Sequence, residues 1–480
     1  MLKDSDLHTL TSLFGKWAGY TCSEHQTIAA NGSNRLYLRL SANGKTCIGA
    51  VNDDIRENEA FFYYSRQLHQ LGLPVPQLYA VSDDRRCYIQ QDLGDTTLYS
   101  YLYDKRRKGE GSDKETYDYY QRVLDDLALF QTKARQLDFS YAYPRPSFDR
   151  QSMSWDLSYF KYYYLKLAYI PFDEQLIEDD FQRLIDYLLQ ADCSYFFYRD
   201  FQTRNIMLHD GKLYYIDYQG ARQGAAQYDA ASLLYSAKCE LPEALRRQLA
   251  EHYTSTFASL VGRGDDKQFL HQFLQHFYGY VLIRILQALG AYGYRGYFER
   301  KDSFLQSIPL AINNLRNIVQ NYPLPVELPH LSQVLQHIIG LQWEQPQPQT
   351  SDKLTVTIGS FSYKKGLPQD KSGNGGGFIF DCRALPNPGR YPEYRTFTGK
   401  DAPVIEFLQR EPEVDRFLLN AKALVSQSVT RYIERKFTNL SVYFGCTGGQ
   451  HRSVYCAEQL ASYVSKNFDC HVVLLHREQQ

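Results

Sequence analysis

The sequence predicts an α+β protein in two parts: a bilobal unit, in which a small β-rich lobe precedes a helical lobe, and a separate α/β domain with a strand–loop–helix anion site. Residues 1–95 alternate apolar and polar side chains between turns, and residues 96–341 repeat apolar side chains at helical spacing. Residues 353–480 combine strands, glycine-bearing loops and helices. Residues 342–352 contain two prolines and no periodicity, which predicts a linker.

Length and composition exclude several classes of protein. A chain of 480 residues is too long for one ordinary domain. The 53 Lys and Arg nearly balance the 54 Asp and Glu without long runs, which argues against a nucleic-acid or membrane-surface partner. No stretch reaches the ~18 apolar residues that a membrane span requires. The nine cysteines lack zinc spacing and favour a reduced, cytoplasmic protein.

The small lobe begins with a predicted β-hairpin. A turn at residues 31–34 precedes alternating leucines at 36–40, and a second turn leads to a strand over 46–51. A small polar hairpin tip can lay backbone N–H groups over phosphates, although an ordinary hairpin has the same pattern. A helix over 55–71 follows and ends at Gly72 before two prolines. A strand over 87–94 leads out of the lobe.

The large lobe is predicted to be mostly helical. Apolar residues recur at three and four in six segments: 117–136, 175–189, 230–237, 242–261, 266–289 and 304–321. The exception is a predicted hairpin within residues 195–217, whose apolar segments are joined by a His-Asp-Gly turn. We expect the acidic residues of this hairpin to lie where the two lobes meet, an arrangement that can clamp a nucleotide.

The hairpin carries the predicted catalytic chemistry. Asp200 precedes Asn205 by five residues, and Asp217 ends a short apolar strand. Phosphoryl transfer requires a carboxylate near the acceptor hydroxyl and oxygen ligands that hold Mg²⁺ against the phosphates. Each residue alone is equally well explained as a turn or cap residue, but the spacing of all three favours a single phosphotransfer site.

The motifs Tyr-Arg-Asp-Phe-Gln-Thr-Arg-Asn at 198–205 and Tyr-Ile-Asp-Tyr-Gln-Gly at 215–220 resemble the aminoglycoside phosphotransferase and choline kinase family. The chain looks closest to the anomeric amino-sugar kinases of that family, which phosphorylate N-acetylmuramate and N-acetylglucosamine. The likeness covers about residues 15–335, with supporting stretches at 32–39, 72–76, 91–95, 228–234 and 286–292. It implies a protein-kinase-like fold that uses ATP and Mg²⁺.

The resemblance also implies roles for individual residues. Asp200 would be the catalytic base, and Asn205 and Asp217 would be the metal ligands. The nucleotide would be bound by residues of the small lobe, among them the phosphate loop and a carboxylate of the following helix: Gly32, Ser33, Asn34, Arg35, Arg39 and Glu59.

Two departures from the family pattern stand out. Tyr198 occupies the position at which the catalytic loop usually has His, and the strand Cys47–Val51 contains no phosphate-binding Lys. Arg35 or Arg39 could replace that Lys, because a guanidinium offers a fork of donors suited to phosphate. A pseudokinase that binds nucleotide without transferring phosphate is therefore an alternative to an enzyme.

The last part of the chain predicts an anion site. Strands are expected over 354–360, 378–381 and 441–445, with a glycine-rich loop at 372–377, and helices are expected over 403–420, 421–437 and 453–466. Between the last strand and the last helix lies Cys-Thr-Gly-Gly-Gln-His-Arg at 446–452. Backbone N–H groups and the helix dipole would bind an anion there, and Arg452 would add a bidentate contact.

The same loop has the Cys-x5-Arg spacing of cysteine-dependent phosphatases, in which a thiolate attacks phosphorus. No general-acid Asp can be identified for Cys446. We therefore favour a binding loop and keep phosphatase chemistry as the alternative.

Four stretches, at 360–368, 380–388, 398–401 and 445–454, resemble the C-terminal domain of the RNase adapter protein RapZ, and the likeness spans nearly all of 352–480. That domain senses glucosamine-6-phosphate and engages small RNA. By resemblance, the phosphosugar-binding residues are Cys446, Thr447, Gly448, Gly449, Gln450, His451 and Arg452. The basic tail of that family is missing here, which argues against RNA binding.

Together these features predict an ATP- and Mg²⁺-dependent kinase of a small sugar, with an amino sugar as the expected substrate, joined to a phosphosugar-binding sensor domain. The alternatives are a nucleotide-binding adapter and a bifunctional kinase and phosphatase.

Overall fold

The computed structural model describes residues 3–28, 35–341, 353–368, 377–435 and 437–479. The Cα positions divide the chain into one unit of residues 1–300 and 304–344 and a second unit of residues 301–303 and 345–480. The division at residue 344 falls within the predicted linker 342–352, which lies outside the described residues. Buried apolar clusters of the first unit and of the second are separate.

The small lobe is built on an antiparallel sheet of five strands in the order β1-β2-β3-β5-β4. Its elements are α1 (Asp4–Ala18), β1 (Glu24–Ile28), β2 (Leu36–Ala42), β3 (Lys45–Val51), α2 (Ile55–Gln70), β4 (Leu78–Val81) and β5 (Cys87–Gln91). The predicted hairpin and helix are present. The helix α1 was not predicted, and its Trp17 stacks on Tyr79 with ring centroids 4.4 Å apart.

Strand alternation gives this sheet two different faces. Leu38, Leu40 and Cys47 pack with Phe14 of α1 in one cluster. The opposite face carries Tyr37, Arg39, Ala50 and Tyr88, and Tyr88 and Ala50 pack with residues of α2. The second face is therefore the one that lies towards the predicted nucleotide site.

The large lobe consists mainly of helices, as the apolar periodicity predicts. Its helices are α3 (Leu98–Arg107), α4 (Asp113–Lys133), α5 (Arg150–Phe160), α6 (Glu174–Leu188), α7 (Gln227–Leu234), α8 (Glu243–Leu260), α9 (Lys267–Gly293), α10 (Asp302–Leu305), α11 (Ser307–Asn321) and α12 (Pro329–Gly340). Close packing fixes the end of α9, because a Cβ added at Gly293 would lie 2.0 Å from the carbonyl oxygen of Tyr163.

Two small sheets interrupt these helices. They are formed by β6 (Tyr195–Phe197) with β9 (Arg222–Gly224), and by β7 (Ile206–His209) with β8 (Lys212–Tyr215). The predicted hairpin over 195–217 was therefore too long. The turn at Asp210 and Gly211 sets a register in which only β7 and β8 can pair, and β6 pairs antiparallel with a strand that follows the predicted segment.

The second unit contains a parallel sheet in the order β11-β12-β10-β13. Its elements are β10 (Thr355–Ser362), β11 (Gly377–Asp381), α13 (Ala402–Gln409), α14 (Pro412–Glu434), β12 (Asn439–Cys446), α15 (Arg452–Asn467) and β13 (His471–His476). The predicted helix boundary at 420–421 was wrong. The break lies before Pro412, which begins α14 because proline lacks the N–H that a helix interior needs.

None of the described helices is both long and apolar enough to cross a lipid bilayer. The α+β architecture predicted from the sequence, a kinase-like bilobal unit followed by an α/β unit, is confirmed by the observed elements.

Candidate active site

The catalytic loop follows β6, and Asp229 of α7 fixes it through hydrogen bonds. The Asp229 carboxylate accepts hydrogen bonds from the backbone N–H groups of Tyr198 at 2.7 Å and Arg199 at 2.9 Å. Complete burial raises the pKa of Asp229 to about 7, and these two hydrogen bonds act in the opposite direction. The loop that carries Asp200 is thus attached to a fully buried helix.

Asn205 links the other two predicted site residues, Asp200 and Asp217. Its Nδ2 donates to the backbone oxygen of Asp200 at 2.9 Å and to Oδ2 of Asp217 at 3.0 Å. Both amide hydrogens are therefore used within the protein, and Oδ1 remains as the atom that can bind a cation. The structure thus brings together the three residues that the sequence predicts for phosphotransfer.

Asp217 follows β8 in a left-handed backbone conformation with φ of 72°, which is uncommon for a residue other than glycine. Its side chain meets solvent at the surface of the cleft, yet the surrounding protein removes much of the water that would hydrate a carboxylate. This desolvation and the negative charge of Asp200 raise the pKa of Asp217. Gln219 Nε2 donates to its Oδ1 at 2.7 Å.

The donor set fits a divalent cation. Two neighbouring carboxylates, of Asp200 and Asp217, repel each other, and Asn205 offers an amide oxygen beside them. Carboxylate and amide oxygens are the ligands that Mg²⁺ prefers. A bound cation would relieve the repulsion that raises the pKa of Asp217.

Tyr198 braces the loop in place of the usual histidine. Its ring is buried, and its hydroxyl donates to the carbonyl oxygen of Ile216 at 2.6 Å, next to Asp217. Burial raises its pKa, so the hydroxyl keeps its proton. The departure at this position therefore preserves a link between the catalytic loop and the segment that carries Asp217.

Arg199 anchors the other side of the loop. Its guanidinium forms two hydrogen bonds with the Asp156 carboxylate, at 2.7 and 2.8 Å, and lies over the rings of Phe148 and Tyr228. A bidentate, stacked arginine holds one geometry better than a lysine would. Arg199 adopts φ of 82°, which shows that the loop turns sharply just before Asp200.

The predicted nucleotide-binding residues have different surroundings. Gly32, Ser33 and Asn34 lie outside the described residues. Arg35 is buried, and its Nη2 lies 3.5 Å from Oε1 of Glu57.

Arg39 and Glu59 are already engaged by other side chains. Arg39 donates to Asp92 and Asp95 at 2.8 to 3.1 Å. Glu59 accepts hydrogen bonds from Arg85 at 2.5 and 2.9 Å, whereas Glu57 of the same helix lies 3.5 Å from Arg35. Residues two apart on a helix point about 200° apart, so the two carboxylates of α2 have different surroundings.

The second candidate site lies where β10 and β12 end, at the point where the order of the parallel strands reverses. Ligands of open α/β sheets bind at such a point. The loop after β12 is held there by Ser362 Oγ, which donates to the oxygen of Thr447 at 2.7 Å, and by Gly399 N, which donates to the oxygen of Gln450 at 2.8 Å. His451 Nε2 lies 3.1 Å from the carbonyl oxygen of Tyr394.

Cys446 lies at the base of this loop, and the pKa of its thiol is lowered. Its Sγ accepts a hydrogen bond from Gly449 N at 3.2 Å and lies 3.1 Å from Ser453 Oγ. Burial alone would raise its pKa, but the hydrogen bonds and the charge of Arg452 outweigh burial, and the pKa of Cys446 is lowered. Gly448 has open space above it, since an added Cβ would meet no atom within 4 Å.

Part of the Arg452 guanidinium forms hydrogen bonds with the protein backbone. Its Nη1 donates to the carbonyl oxygens of Arg383 at 2.8 Å and Leu385 at 2.9 Å, so this amino group cannot also bind a ligand. Its buried Nε has no hydrogen-bond partner among the described residues. The guanidinium therefore keeps an edge that an anion can contact.

Several residues of these sites were not identified from the sequence. Asp229 had an available signal, because it is an acidic residue in an otherwise uncharged helix. Glu57, Ser362 and Ser453 had none, because their roles depend on which strand or loop lies beside them.

The fold and the first site together define a kinase-like phosphotransferase. The chain belongs to the phosphotransferase enzyme family, whose family model matches residues 24–263. The model of the RapZ C-terminal domain matches residues 354–480. Both resemblances stated from the sequence are confirmed.

Curated relatives match about a quarter of the chain. A nucleotide-binding protein of Acidithiobacillus ferrooxidans is 42% identical over 125 residues, which are 26% of this chain and 40% of the relative. One of Xanthomonas campestris is 40% identical over 129 residues, which are 27% of this chain and 44% of the relative. This chain thus covers less than half the length of these relatives.

Solved structures resemble part of the chain at low identity. An ethanolamine kinase of Plasmodium vivax is 13% identical with a TM-score of 0.45, over 62% of this chain and 82% of that one. A choline kinase of Cryptosporidium parvum is 13% identical with a TM-score of 0.44, over 65% and 93%.

Proposed function

We propose that this protein is an ATP- and Mg²⁺-dependent kinase that phosphorylates a hydroxyl group of a small sugar, with an amino sugar as the substrate. The observation that carries the proposal is the convergence of Asp200, Asn205 and Asp217, joined through the Asn205 side chain. A pseudokinase would not need a base beside two oxygen ligands.

Each residue has a role in the proposed reaction. Asp200 accepts the proton of the acceptor hydroxyl, and Asn205 and Asp217 hold Mg²⁺, which neutralises charge on the phosphates when bound. Asp229, Tyr198 and Arg199 keep the loop in place, so the base does not need to reorganise during transfer. Gly32, Ser33 and Asn34 are proposed as the phosphate loop on the resemblance alone.

The amino-sugar substrate is supported by the resemblance to anomeric amino-sugar kinases and by the second unit, whose family senses a phosphosugar. We place the protein in the cytoplasm, since all nine cysteines are free thiols.

The test is incubation of the full chain with Mg²⁺–ATP and a panel of amino sugars and neutral sugars, with products identified by mass spectrometry. We expect phosphorylation of at least one amino sugar and loss of at least 10³-fold in rate for Asp200→Asn. Equal product from Asp200→Asn would remove this residue from the mechanism. No product from any sugar, with Mg²⁺–ADP still bound, would favour the adapter alternative.

For the second unit we propose a phosphosugar-binding function of the loop Cys446–Arg452. The N–H groups of Thr447 and Gly448, the amino terminus of α15 and the open edge of Arg452 would contact the phosphate, whereas the N–H of Gly449 already donates to the Cys446 sulfur within the same loop. Gln450 and His451 would complete the site. Titration with glucosamine-6-phosphate, read by calorimetry and by the melting temperature, tests the proposal, and no response in either would contradict it.

A cysteine-dependent phosphatase is the second candidate for this loop. The lowered pKa of Cys446, with Ser453 and Gly449 N around the thiol, favours it. A phosphatase predicts release of phosphate from a phosphosugar that Cys446→Ser abolishes. A binding loop predicts no release and nearly unchanged affinity in Cys446→Ser.

A further inference from the structure

The strand that would carry a phosphate-binding lysine has an alanine next to its end. Ala50 of β3 is fully buried and lies between Tyr37 of β2 and Tyr88 of β5 in the sheet register. These residues share the face towards α2. Kinases of this fold place a lysine on this strand, paired with a helix carboxylate, to align the phosphates of the nucleotide. Here the strand itself supplies no cation to that face.

Arg35 supplies a cation from a different strand. It directly precedes β2 and has the same alternation as Tyr37, so its side chain is on the face towards α2. The side chain is 2% exposed, and the guanidinium carbon lies 5.5 Å from the centre of the Phe61 ring of α2. Its Nη2 is 3.5 Å from Oε1 of Glu57.

Packed rings connect this guanidinium with the neighbours of Ala50. Tyr37 and Tyr88 flank Ala50 in the register, and the Phe61 ring under Arg35 lies 4.9 Å from the Tyr88 ring. Burial would lower the pKa of Arg35, but Tyr88, Tyr37 and Glu57 outweigh burial and raise it, so the residue stays charged. The arginine is therefore near the region that a lysine at position 50 would occupy.

Arg35 is also linked to the segment of the candidate metal site through packed rings. Phe61, over which Arg35 lies, stacks on Tyr218, the residue after Asp217, with ring centroids 5.4 Å apart. Arg39 has no comparable position, because Asp92 and Asp95 already bind its guanidinium on both sides.

We propose that Arg35, held by Glu57, is the residue that positions the phosphates of the bound nucleoside triphosphate, in place of a lysine on β3. The inference rests on the proposed phosphotransfer function and replaces both Arg39 and Glu59 in the predicted site. An arginine suits this place because its fork can bind a carboxylate with one edge and a phosphate with another.

The first experiment removes the positive charge at Arg35 and then places a positive charge on β3. Arg35→Met removes the charge while keeping the length of the side chain, and Arg35→Met combined with Ala50→Lys places an ammonium on β3, on the face towards α2. We expect Arg35→Met to lower kcat/KM for ATP by about 100-fold, because loss of a positioning contact misaligns the phosphates. The double variant should recover at least tenfold of that loss.

The two carboxylates of α2 provide a matched pair of variants. Glu57→Gln should weaken Mg²⁺–ADP binding and lower kcat, because Arg35 loses the partner that orients it. Glu59→Gln, two residues along the same helix, should leave both unchanged, because Glu59 pairs with Arg85 at a partly exposed position. Circular dichroism and thermal unfolding show whether each variant is folded.

Nucleotide affinity is measured by calorimetry without any sugar, which separates this inference from the proposed function. If the wild-type protein binds Mg²⁺–ADP but phosphorylates no sugar, the substrate proposal fails and Arg35 is judged on binding alone. Unchanged affinity in folded Arg35→Met would overturn the inference, as would equal effects of Glu57→Gln and Glu59→Gln. A wild-type protein that binds no nucleotide would overturn both.

Discussion

Asp229 is a completely buried carboxyl group that two backbone N–H groups of the catalytic loop contact. Its pKa of about 7 in the folded protein lies above the value of about 3.9 expected in the unfolded chain. The folded state therefore binds a proton that the unfolded state has lost between these values. The contribution of this group to stability is fully present below about pH 4, falls as pH rises, and levels off above about pH 7.

We predict that the wild-type protein loses more stability than Asp229→Asn when pH is raised from about 5.5 to 8, by about 2 kcal/mol. Asparagine cannot ionise, so the Asp229→Asn protein lacks this pH-dependent contribution to stability. Urea unfolding of both proteins at the two pH values measures the difference. Parallel changes in the two proteins would show that Asp229 stays ionised throughout.

Asp217 gives a pH prediction with a different readout. Because its pKa is raised by desolvation and by Asp200, protons compete with a metal ion at higher pH than for an ordinary aspartate. We predict that the apparent affinity for Mg²⁺ in the presence of ADP falls as pH is lowered from 8 to 6, and that Asp200→Asn reduces this dependence. Calorimetric titration at several pH values tests this, and a flat profile would contradict it.

The sequence was sufficient for residues whose roles depend on local spacing. Asp200, Asn205 and Asp217 lie within 18 residues and were recognised together. Glu59 is the carboxylate of α2 predicted from the sequence, but local spacing does not distinguish it from Glu57, because the distinction depends on how α2 is rotated against the sheet.

At the scale of elements, α9 illustrates how closely the helices of the large lobe approach one another. A Cβ at Gly293 would lie 2.0 Å from a carbonyl oxygen of the segment after α5. We predict that Gly293→Ala destabilises the protein by about 3 kcal/mol, because the backbones must separate. Gly340→Ala, near the end of α12 with open space around it, should be neutral or slightly stabilising. Thermal unfolding compares the two, and equal melting temperatures would contradict the tight contact.

The junction of β12 and α15 contains Cys446, and we expect the reactivity of its thiol to depend on the hydrogen bonds around it. Loss of the Ser453 hydroxyl removes a contact that lowers the pKa of Cys446. We predict that Ser453→Ala slows alkylation of Cys446 by iodoacetamide near neutral pH by about threefold to tenfold, because less thiolate is present. Ser465→Ala on the exposed part of the same helix is the control. Peptide mass spectrometry distinguishes Cys446 from the other cysteines, and equal rates would show that Ser453 does not stabilise the thiolate.

Helices and hairpins that depend on nearby residues were largely predictable. The helix α2 ends at Gln70, just before Gly72 and the prolines that predict its end, and β2 and β3 form the expected pair. The pairing of β6 with β9 was not predictable, because each has only three residues and the partner is set by the surrounding helices.

At the scale of the whole molecule, each unit buries its own apolar cluster. We predict two unfolding transitions in urea, of which Gly293→Ala shifts one and Val442→Ala, in the core of the parallel sheet, shifts the other. Calorimetry and circular dichroism measure both transitions. A single transition that both variants shift equally would contradict independent folding.

The division into two folds was visible in the sequence because the periodicity changes on either side of the prolines at 346 and 348. The pairing of strands within each sheet was not, since it depends on contacts between distant residues.

The stacking of Trp17 on Tyr79 has a practical consequence for optical measurements. The chain has three tryptophans, at positions 17, 155 and 343, and none after residue 343. Trp17 belongs to the small lobe, and Trp155 lies on α5 of the large lobe with about half of its surface exposed. Tryptophan fluorescence therefore contains no emission from the parallel sheet of the second unit. Replacing both Trp155 and Trp343 by phenylalanine leaves Trp17, so the remaining tryptophan emission comes from the small lobe, in which nucleotide binding can be followed.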